Sequence, residues 1–502
     1  MLTRLKIDGF KNLREVDVRL GTFTCIAGAN GAGKSNLFDA IQFLAMLADQ
    51  PLMEAACGVR AESDKTPDVR LLFRHEGETF CPRMHFEAEM LVPPVAVDDL
   101  GQRGKAKTTF LVYRLTLGIR SSSATGDLAA PGTLQILNEE LTYVPKKEAG
   151  ARLPFEHTRE WRDSVVLGAC RRPLISTEEQ NDQTVIKLHQ DGNQGRPSLH
   201  AAATLPRTVL SRASAAESPT ALCARREMAS WQLLQLEPSA LRRPSSFSAP
   251  DQIGMNGAHL AAALYRIASR EAPAAGLDAD AICAQVANRL AELIGDVRDV
   301  CVDRDDKREL LTLLLKDRAG TIHPAQALSD GTLRFLALAV LELDPECRGT
   351  ICLEEPENGI HPDRIPAMLR LLRDIAVDVE IPVDRDNPMR QVLVNTHSPV
   401  VVQEVLDASL LVAEADGEAM SRGVRFGCLP DTWRTEVSPS PAICPKGLLL
   451  SYLGDGGQLR EDEAAEASPV YCAGGQQKGG RLRKIKHRED LQPLLPGTEQ
   501  WP

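Results

Sequence analysis

The chain begins with short runs in which apolar and polar positions alternate. LTRLKIDGF, VDVRL and TFTCIAG follow this pattern, which predicts half-buried strands. The next segment, GKSNLFDAIQFLAML, spaces its apolar residues as a helix does. Residues 1–48 are therefore predicted to form strand, turn, strand, Gly-rich loop and helix.

Alternation returns between about residues 68 and 145. VRLLFRH, MHFEAEMLV, TFLVYRLTLGI and LQILNEELTYV are separated by Gly, Pro and Ser clusters, which predicts an antiparallel sheet. Residues 146–220 are polar and weakly periodic, so we predict mostly loop there and assign it no role.

The remaining chain changes from helical to mixed patterns. LCARREMASWQLLQL, GAHLAAALYRIASR and AICAQVANRLAELIG predict a helical lobe. From residue 299 strands such as LLTLLLKD, TICLE and QVLVNTH alternate with helices, which predicts an α/β core split by a long insertion. The predicted units are residues 1–48 and 299–415 for the split core, 49–145 for an antiparallel β subdomain, 146–298 for the polar loop region and helical lobe, and 416–502 for a C-terminal tail region.

Composition narrows the class of protein. The 502 residues are 43% hydrophobic, and 58 Lys and Arg against 69 Asp and Glu give a net charge of −11, so any DNA or RNA contact must be local.

No charged leader precedes an apolar run, and FLALAVL is far shorter than the roughly 20 residues of a membrane span. The 12 cysteines are scattered, without a C-x-x-C pair, which indicates neither a zinc site nor a disulfide framework. We expect a cytoplasmic protein with no membrane partner.

The sequence GANGAGKS, at Gly28–Ser35, fits the phosphate-binding pattern G-x-x-x-x-G-K-[ST]. In such a loop, glycines let backbone N–H groups curl around phosphates at a helix N-terminus. Lys34 would contact the β- and γ-phosphates, and Ser35 would ligate Mg²⁺. The preceding strand and following helix support this interpretation, although the loop alone does not select ATP among nucleoside triphosphates.

A second motif, TICLEEPENGIHP, is a short apolar strand that ends in two carboxylates. In this arrangement Glu354 would hold Mg²⁺ and Glu355 would act as the general base on the attacking water. Two acids after a strand are also compatible with a solvated turn. The P-loop upstream favours the catalytic interpretation.

Two further motifs have weaker individual meaning. ALSDGTLRFLAL places Ser329 and Gly331 at the start of an apolar-periodic helix, where N–H groups attract an anion, although an ordinary N-cap would look the same. VLVNTHSP ends a strand with His397, within reach of a γ-phosphate, although a lone His at a strand end is more often structural. Their positions in a series with the first two motifs favour function.

This series of P-loop, LSxG-type signature, paired carboxylates and switch His resembles the ABC ATPase superfamily. GFKNL, N-x-G-x-G-K-S-N, LSDGTLRF, EEPENGIHP and NTHSP look like the RecF/SMC-like clade, often placed in the AAA-15 or AAA-21 families. That clade includes RecF-type repair proteins, the ATPase half of OLD nucleases and the ATPases of the Septu and PARIS anti-phage systems. The resemblance is specific over residues 1–48 and 300–415.

The resemblance implies an ABC-type P-loop ATPase head whose cofactors are ATP and Mg²⁺. Asn30 would face the γ-phosphate in its own subunit, whereas Ser329 and Gly331 would contact the γ-phosphate bound to a second subunit. Two composite sites per dimer follow. The implied nucleotide-binding set is Gly28, Asn30, Gly31, Gly33, Lys34, Ser35, Asn36, Ser329 and Gly331.

The chain also departs from these relatives. Glu354 stands where most have Asp, which lengthens the metal ligand by a methylene, and no segment matches the Q-loop clearly, so Gln135 is named only as a candidate for its glutamine. SLLVAEADGE lies where OLD-type relatives begin a Toprim nuclease, but no D-x-D follows, so we expect no nuclease activity. The basic cluster Arg481–Arg488 suits either a phosphate backbone or a solvated terminal segment.

Three functions remain open from the sequence. The leading one is an ATP-driven, oligomeric sensor or scaffold that controls a separately encoded effector, such as a nuclease, in anti-phage defence. The second is a RecF-like repair factor that binds DNA under the control of ATP. The third is a switch protein that binds ATP but scarcely hydrolyses it.

Overall fold

The computed structural model describes residues 1–59, 68–77, 79–120, 132–168, 170, 172–191, 195–271, 278–416, 423–436, 442–445, 447–449 and 483–488. The strands in chain order are β1 (Leu2–Asp8), β2 (Val16–Arg19), β3 (Phe23–Ala27), β4 (His75–Glu76), β5 (Thr79–Phe80), β6 (Arg83–Leu91), β7 (Val95–Val97), β8 (Arg103–Lys105), β9 (Phe110–Arg120), β10 (Thr133–Tyr143), β11 (Ile175–Gln180), β12 (Gln183–Leu188), β13 (Ser198–Ala201), β14 (Gln232–Leu234), β15 (Ser245–Ser246), β16 (Val297–Asp305), β17 (Leu310–Asp317), β18 (Ile322–Pro324), β19 (Gly349–Glu354), β20 (Arg390–Thr396), β21 (Leu410–Asp416), β22 (Gly423–Cys428) and β23 (Ala442–Ile443).

The α-helices are Lys34–Leu47, Leu52–Gly58, Ala149–Arg152, Arg159–Val165, Pro219–Ala229, Pro238–Leu241, Leu260–Arg266, Ala279–Leu293, Asp330–Leu343, Ile365–Ile375 and Pro399–Glu404. Within the described part of the chain, none of them combines the length and the apolar character that crossing a bilayer requires.

A seven-stranded sheet forms the core of the predicted α/β fold. Its order is β14-β19-β20-β3-β21-β22-β23, and the five strands from β14 to β21 run parallel. β3 and β20 are buried along their whole length, as expected of central parallel strands covered on both faces. Because the carboxyl ends of β3, β19 and β20 lie side by side, the three segments that follow them meet at one sheet edge.

The predicted antiparallel sheet is present and has eight strands, in the order β13-β12-β11-β10-β9-β6-β1-β2. Its strands come from both sides of the boundary predicted at residue 48, because β1 pairs with β6. The rings of Phe10, Phe43 and Phe86 lie 5.6–6.0 Å apart and join the helix Lys34–Leu47 to this sheet. The helix Lys34–Leu47, which follows β3 of the parallel sheet, thus packs against the antiparallel sheet.

The prediction of loop over residues 146–220 is wrong for β11, β12 and β13, which extend the antiparallel sheet. These strands lie at its edge and keep many exposed polar side chains, so apolar alternation is weak. The turn between β11 and β12 consists of Asn181 and Asp182, both with positive φ, which is a hairpin signal that the sequence contained.

The prediction of a continuous helix over LCARREMASWQLLQL is also wrong. The helix Pro219–Ala229 ends before Trp231, and β14 then joins the parallel sheet beside β19. A three-residue strand is too short to show a period, so its pairing with β19 decides its conformation. Similarly, Val69–Leu72 of VRLLFRH forms a 3-10 turn rather than a strand.

Candidate nucleotide-binding site

The predicted P-loop connects β3 to the helix that begins at Lys34. Gly33 precedes this helix with a φ of 97°, and a Cβ atom there would lie 2.3 Å from the side-chain nitrogen of Asn12. Asn12, from the N-terminal GFKNL segment, accepts a 2.7 Å hydrogen bond from the Asn36 side chain. The N-terminal motif therefore supports the loop from behind, and only glycine fits at position 33.

The ammonium of Lys34 lies at the loop itself. It donates hydrogen bonds to the carbonyl oxygens of Gly28, at 2.7 Å, and Ala29, at 2.9 Å. Burial lowers the pKa of Lys34, while the negative charges of Glu355, Glu357 and Glu354 act in the opposite direction. A buried ammonium among backbone carbonyls is positioned to bind an incoming phosphate.

Glu354, at the end of β19, has both carboxylate oxygens held by side-chain amides. The Gln235 amide donates to its Oε2 at 2.6 Å, and the Asn395 amide lies 3.4 Å from its Oε1. The same Asn395 nitrogen lies 3.4 Å from the Ser35 hydroxyl oxygen. Asn395 thus spans the two predicted metal ligands, as the register of β19 against β20 requires.

Glu355 follows with a φ of 46°, an uncommon conformation for a non-glycine residue. Its carboxylate is bound by His397 Nδ1, at 2.7 Å, and by the Asn358 amide, at 2.8 Å. Burial opposes ionisation of Glu355, but the hydrogen bonds from Asn358 and His397 outweigh it and hold its pKa below the ordinary value. The predicted base is therefore an ionised, oriented carboxylate, and the predicted switch His is its direct partner.

Glu357, the next acid of the same motif, is buried beneath the site. Its carboxylate accepts a hydrogen bond from the Thr396 hydroxyl, and burial raises its pKa. Thr396 in turn accepts from the backbone N–H of Ser398, at 2.9 Å. Glu357 therefore connects the turn after β19 to the start of the segment that carries His397.

A cavity of about 560 Å³ joins these groups at the sheet edge. Its polar and loop lining consists of Asn30, Gly31, Gly33, Lys34, Ser35, Asn36, Gln235, Glu237, Arg334, Glu354, Glu355, Asn358 and Asn395. Gly28 and His397 lie outside the lining, but each is hydrogen-bonded to a member of it. The structure thus brings together every predicted site residue except Ser329 and Gly331.

Ser329 and Gly331 begin the helix Asp330–Leu343 and do not line the cavity, although Arg334 of the same helix does. Ser329 caps the helix by accepting from the Thr332 N–H at 3.2 Å, and its side chain is exposed. A Cβ atom at Gly331 would lie 2.3 Å from the carbonyl oxygen of Gly359, so the helix start is pressed against the turn after β19. Within one chain, neither residue is therefore part of the cavity that Gly31, Gly33 and Lys34 line.

The residues around Ser35 and Glu354 fit a magnesium ion shared with nucleotide phosphates. Mg²⁺ usually takes one or two carboxylates plus phosphate oxygens and waters rather than an all-protein cage. In the described part of the chain, no three His, Cys, Asp or Glu side chains gather where they could hold a metal. A hydroxyl and one carboxylate, both oriented by Asn395, are the donor set that a nucleotide-borne Mg²⁺ needs.

Sequence reasoning did not identify Gln235, Arg334, Asn358 and Asn395 as residues of the site. The assignment of Gln135 as the Q-loop glutamine is wrong, because Gln135 lies on β10 of the antiparallel sheet and outside the cavity lining. Gln235 is in the site instead, directly after the missed strand β14. Arg334, on the helix that Ser329 caps, donates to the carbonyl oxygens of Leu236, at 3.0 Å, and Asn358. The sequence signal for Gln235 is weak: it follows the short apolar pair LL in QLLQ, as Glu354 follows the apolar run of TICLE.

Two family models match separate parts of the chain. Residues 246–403 match one described as "AAA domain, putative AbiEii toxin, Type IV TA system", and residues 4–126 match one described as "AAA domain". The first match contains the signature, the paired carboxylates and His397, and the second contains the P-loop. Together they confirm the predicted resemblance to ATPases of AAA-type families.

Among solved structures, the chain is similar to SMC head domains. The SMC head bound to the C-winged helix domain of ScpA is 13% identical, with a TM-score of 0.44, over 85% of this chain and 98% of that one. The SMC head domain from Thermotoga maritima is 10% identical, with a TM-score of 0.34, over 84% and 97%. The SMC head with an extended coiled coil, bound to the C-terminal domain of ScpA derived from Pyrococcus furiosus, is 11% identical, with a TM-score of 0.40, over 85% and 96%. No curated protein matches the chain.

Proposed function

We propose that this chain is an SMC/RecF-like ABC-type ATPase, which binds ATP with Mg²⁺ at the edge of its parallel sheet and hydrolyses the nucleotide with Glu355 as general base. One observation carries the proposal. The Glu355 carboxylate is held by His397 and Asn358 beside the bridge from Ser35 through Asn395 to Glu354. Base, metal ligands and phosphate-binding loop therefore share one cavity.

Each residue of the cavity has a distinct part in the proposed reaction. Lys34 binds the β- and γ-phosphates, and Glu355 accepts a proton from the attacking water at a carboxylate oxygen. Ser35 and Glu354 would hold Mg²⁺, which neutralises phosphate charge when it is bound. Asn395 and Gln235 orient those two ligands, so that the longer Glu354 side chain is fixed at both oxygens.

The site of one chain lacks the signature helix start, which supports a composite site between two copies. Ser329 and Gly331 begin a helix of 14 residues, and such an N-terminus attracts an anion. ATP bound in one copy would therefore dock on Ser329 and Gly331 of the other, and hydrolysis would release the contact. We propose that this ATP-gated assembly controls a separately encoded effector, such as a nuclease, in anti-phage defence. The description of the model that residues 246–403 match names a putative toxin of a type IV TA system, which is consistent with a role beside a toxic effector.

The test separates nucleotide binding from hydrolysis. Lys34→Ala should abolish ATP binding in calorimetry, because phosphate charge loses its cation. Glu355→Gln should keep ATP binding but lower the rate of phosphate release by about 10²- to 10⁴-fold, the usual contribution of a general base. Glu160→Gln, an exposed acid on the helix Arg159–Val165, is the matched control and should behave as wild type. Undiminished hydrolysis by folded Glu355→Gln would refute the assignment of the base.

A further inference from the structure

Over its described residues 483–488, the basic cluster near the end of the chain is docked on the rest of the protein, with its cations partly exposed. Its backbone pairs with the loop after the helix Pro399–Glu404: the Asp407 N–H donates to the Arg483 carbonyl at 2.9 Å, and the Ile485 N–H donates to the Val405 carbonyl at 3.1 Å. The Ile485 side chain is fully buried, in the same hydrophobic cluster as Val401 and Val405. Arg481 lies outside the described residues.

Two carboxylates hold the cations of this segment. Glu404 binds Lys484, at 2.6 Å, and Lys486, while Asp407 binds Arg483, at 3.1 Å, and Arg488, at 3.4 Å. Burial opposes ionisation of Glu404, but the hydrogen bonds from the two lysines outweigh it and lower its pKa. Cations that are engaged in this way are poorly available to a phosphate backbone, which disfavours the nucleic-acid interpretation of the cluster.

The position of the two carboxylates connects them to the candidate active site. The helix Pro399–Glu404 begins at its cap residue, Ser398, directly after His397. With six residues, it is about 9 Å long. His397, the partner of Glu355, therefore lies at the N-terminus of this helix. Glu404, whose carboxylate the two lysines bind, is the last residue of the helix.

We propose that Glu404, Asp407 and the hydrophobic cluster that buries Ile485 form a docking site for a basic–aliphatic–basic segment, occupied by residues 483–488 of this chain. We further propose that occupancy of this site holds His397 against Glu355. We call the docked segment the C-terminal clasp. The inference deepens the proposed function, because it takes the pair of Glu355 and His397 as part of hydrolysis. The clasp would act indirectly, by fixing the helix Pro399–Glu404 that follows His397. Among the described residues, the segment itself contacts neither the cavity lining nor His397.

The experiment reverses the charges of the clasp and then restores them. Lys484→Glu with Lys486→Glu places three carboxylates together and should undock the segment. Adding Glu404→Lys gives ion pairs of opposite polarity and should dock it again. Lys187→Glu breaks a Lys–Glu pair of 2.5 Å on the distant β11–β12 hairpin and is the matched control.

Two readouts are needed, one of docking and one of catalysis. Hydrogen exchange at the Asp407 and Ile485 amides reports docking, because both donate across the clasp. In the double variant, these amides should lose protection and kcat should fall about tenfold, or 1.4 kcal/mol, with an unchanged dissociation constant for ATP. The triple variant should regain both, and Lys187→Glu should change neither.

The outcomes separate this inference from the proposed function. Lost amide protection with an unchanged kcat would overturn the clasp's effect on His397, and full protection in the double variant would overturn the docking role of the ion pairs. If wild type hydrolysed no ATP while both amides remained protected, the proposed function would fail instead. A fall in ATP affinity equal to the fall in kcat/KM would also overturn the inference, because it would indicate general damage rather than displacement of His397.

Discussion

At the scale of single residues, the site relies on amides that each serve more than one partner. Asn395 contacts both Ser35 and Glu354, and its backbone carbonyl accepts from the Glu355 N–H at 3.1 Å. The Asn358 side-chain amide donates to the Glu355 carboxylate, and the Asn358 backbone carbonyl accepts from the Arg334 guanidinium. Replacing one of these amide side chains should therefore change the orientation of a neighbouring carboxylate more than it changes the affinity for nucleotide.

Gln235 allows this expectation to be tested. Gln235→Ala removes the 2.6 Å hydrogen bond to Glu354 Oε2 and leaves every P-loop contact in place. We expect kcat to fall about 10- to 100-fold, the usual effect of losing a group that orients a metal ligand, with ATP binding retained. Steady-state hydrolysis and calorimetry measure the two effects separately. Gln135→Ala, on β10, is the control, and a larger loss in Gln135→Ala than in Gln235→Ala would contradict the assignment.

A second residue-scale prediction concerns pH and lies outside the site. Glu139 is buried on β10, where its carboxylate accepts from the N–H groups of Val209 and Leu210, both at 2.8 Å, and from the Tyr113 hydroxyl. Burial raises its pKa to about 7, although the backbone hydrogen bonds oppose the shift. Because its folded pKa lies above the ordinary value of 4.5, protonation favours the folded state.

The stability from Glu139 is therefore fully present below its unfolded pKa and is lost as the pH rises towards about 7. Glu139→Gln cannot titrate, so its unfolding midpoint should fall less than that of wild type between about pH 5 and pH 8. Thermal unfolding followed by circular dichroism across this range measures the difference. Parallel pH profiles for the two proteins would show that Glu139 keeps an ordinary pKa.

At the scale of elements, the helix Asp330–Leu343 is held firmly at both ends. At its C-terminus the Arg390 guanidinium donates to the carbonyls of Leu341, Glu342 and Asp344, at 2.8–3.1 Å. At its N-terminus Gly331 is pressed against Gly359. The position of the helix start relative to the turn that carries Glu355 is thus set by backbone contact.

Gly331→Ala tests this contact. The added methyl would approach the Gly359 carbonyl to 2.3 Å, so the turn after β19 has to move. We expect destabilisation of about 1–3 kcal/mol, the usual cost of overpacking, and a fall in hydrolysis because Asn358 shifts with the turn. Gly295→Ala is the control, because a Cβ there meets nothing within 4 Å. Equal unfolding midpoints for the two variants would show that the close approach is absent.

The elements that sequence patterns predicted are those whose burial leaves a clear signal in the sequence, either a period or a continuous apolar run. β3, β19 and β20 are buried on both faces and read as apolar runs, and the motifs at their ends gave most of the site. β11–β13 were missed because they lie at one end of the antiparallel sheet, where exposed polar side chains weaken the apolar alternation. β14 was missed because its conformation depends on pairing with β19. Gln235 and Asn395 were missed for a related reason. Their roles depend on strand register, which no local pattern contains.

At the scale of the whole molecule, the helix Lys34–Leu47 follows β3 of the parallel sheet and packs against the antiparallel sheet. The candidate nucleotide-binding site is lined by residues from both predicted halves of the split core. The cavity contains two cations, Lys34 and Arg334, against the acids Glu237, Glu354 and Glu355 among its lining residues. The charge on a bound triphosphate would therefore remain only partly compensated within one chain. A second copy that offers a helix N-terminus would supply the missing positive field.

The last prediction follows from this shortage of positive charge. Glu355→Gln should retain bound ATP, because it lacks the base, and the nucleotide should then hold two copies together through Ser329 and Gly331 of the opposite chain. Ser329→Arg should prevent this assembly, since its bulk occupies the place of the phosphate, while the P-loop still binds ATP. Light scattering of wild type, Glu355→Gln and Ser329→Arg, each with and without ATP, measures the mass against that protein's own nucleotide-free state. We expect an ATP-dependent mass increase that is largest for Glu355→Gln and absent for Ser329→Arg. Full ATPase activity in Ser329→Arg would exclude the composite site, even if the P-loop assignment survived.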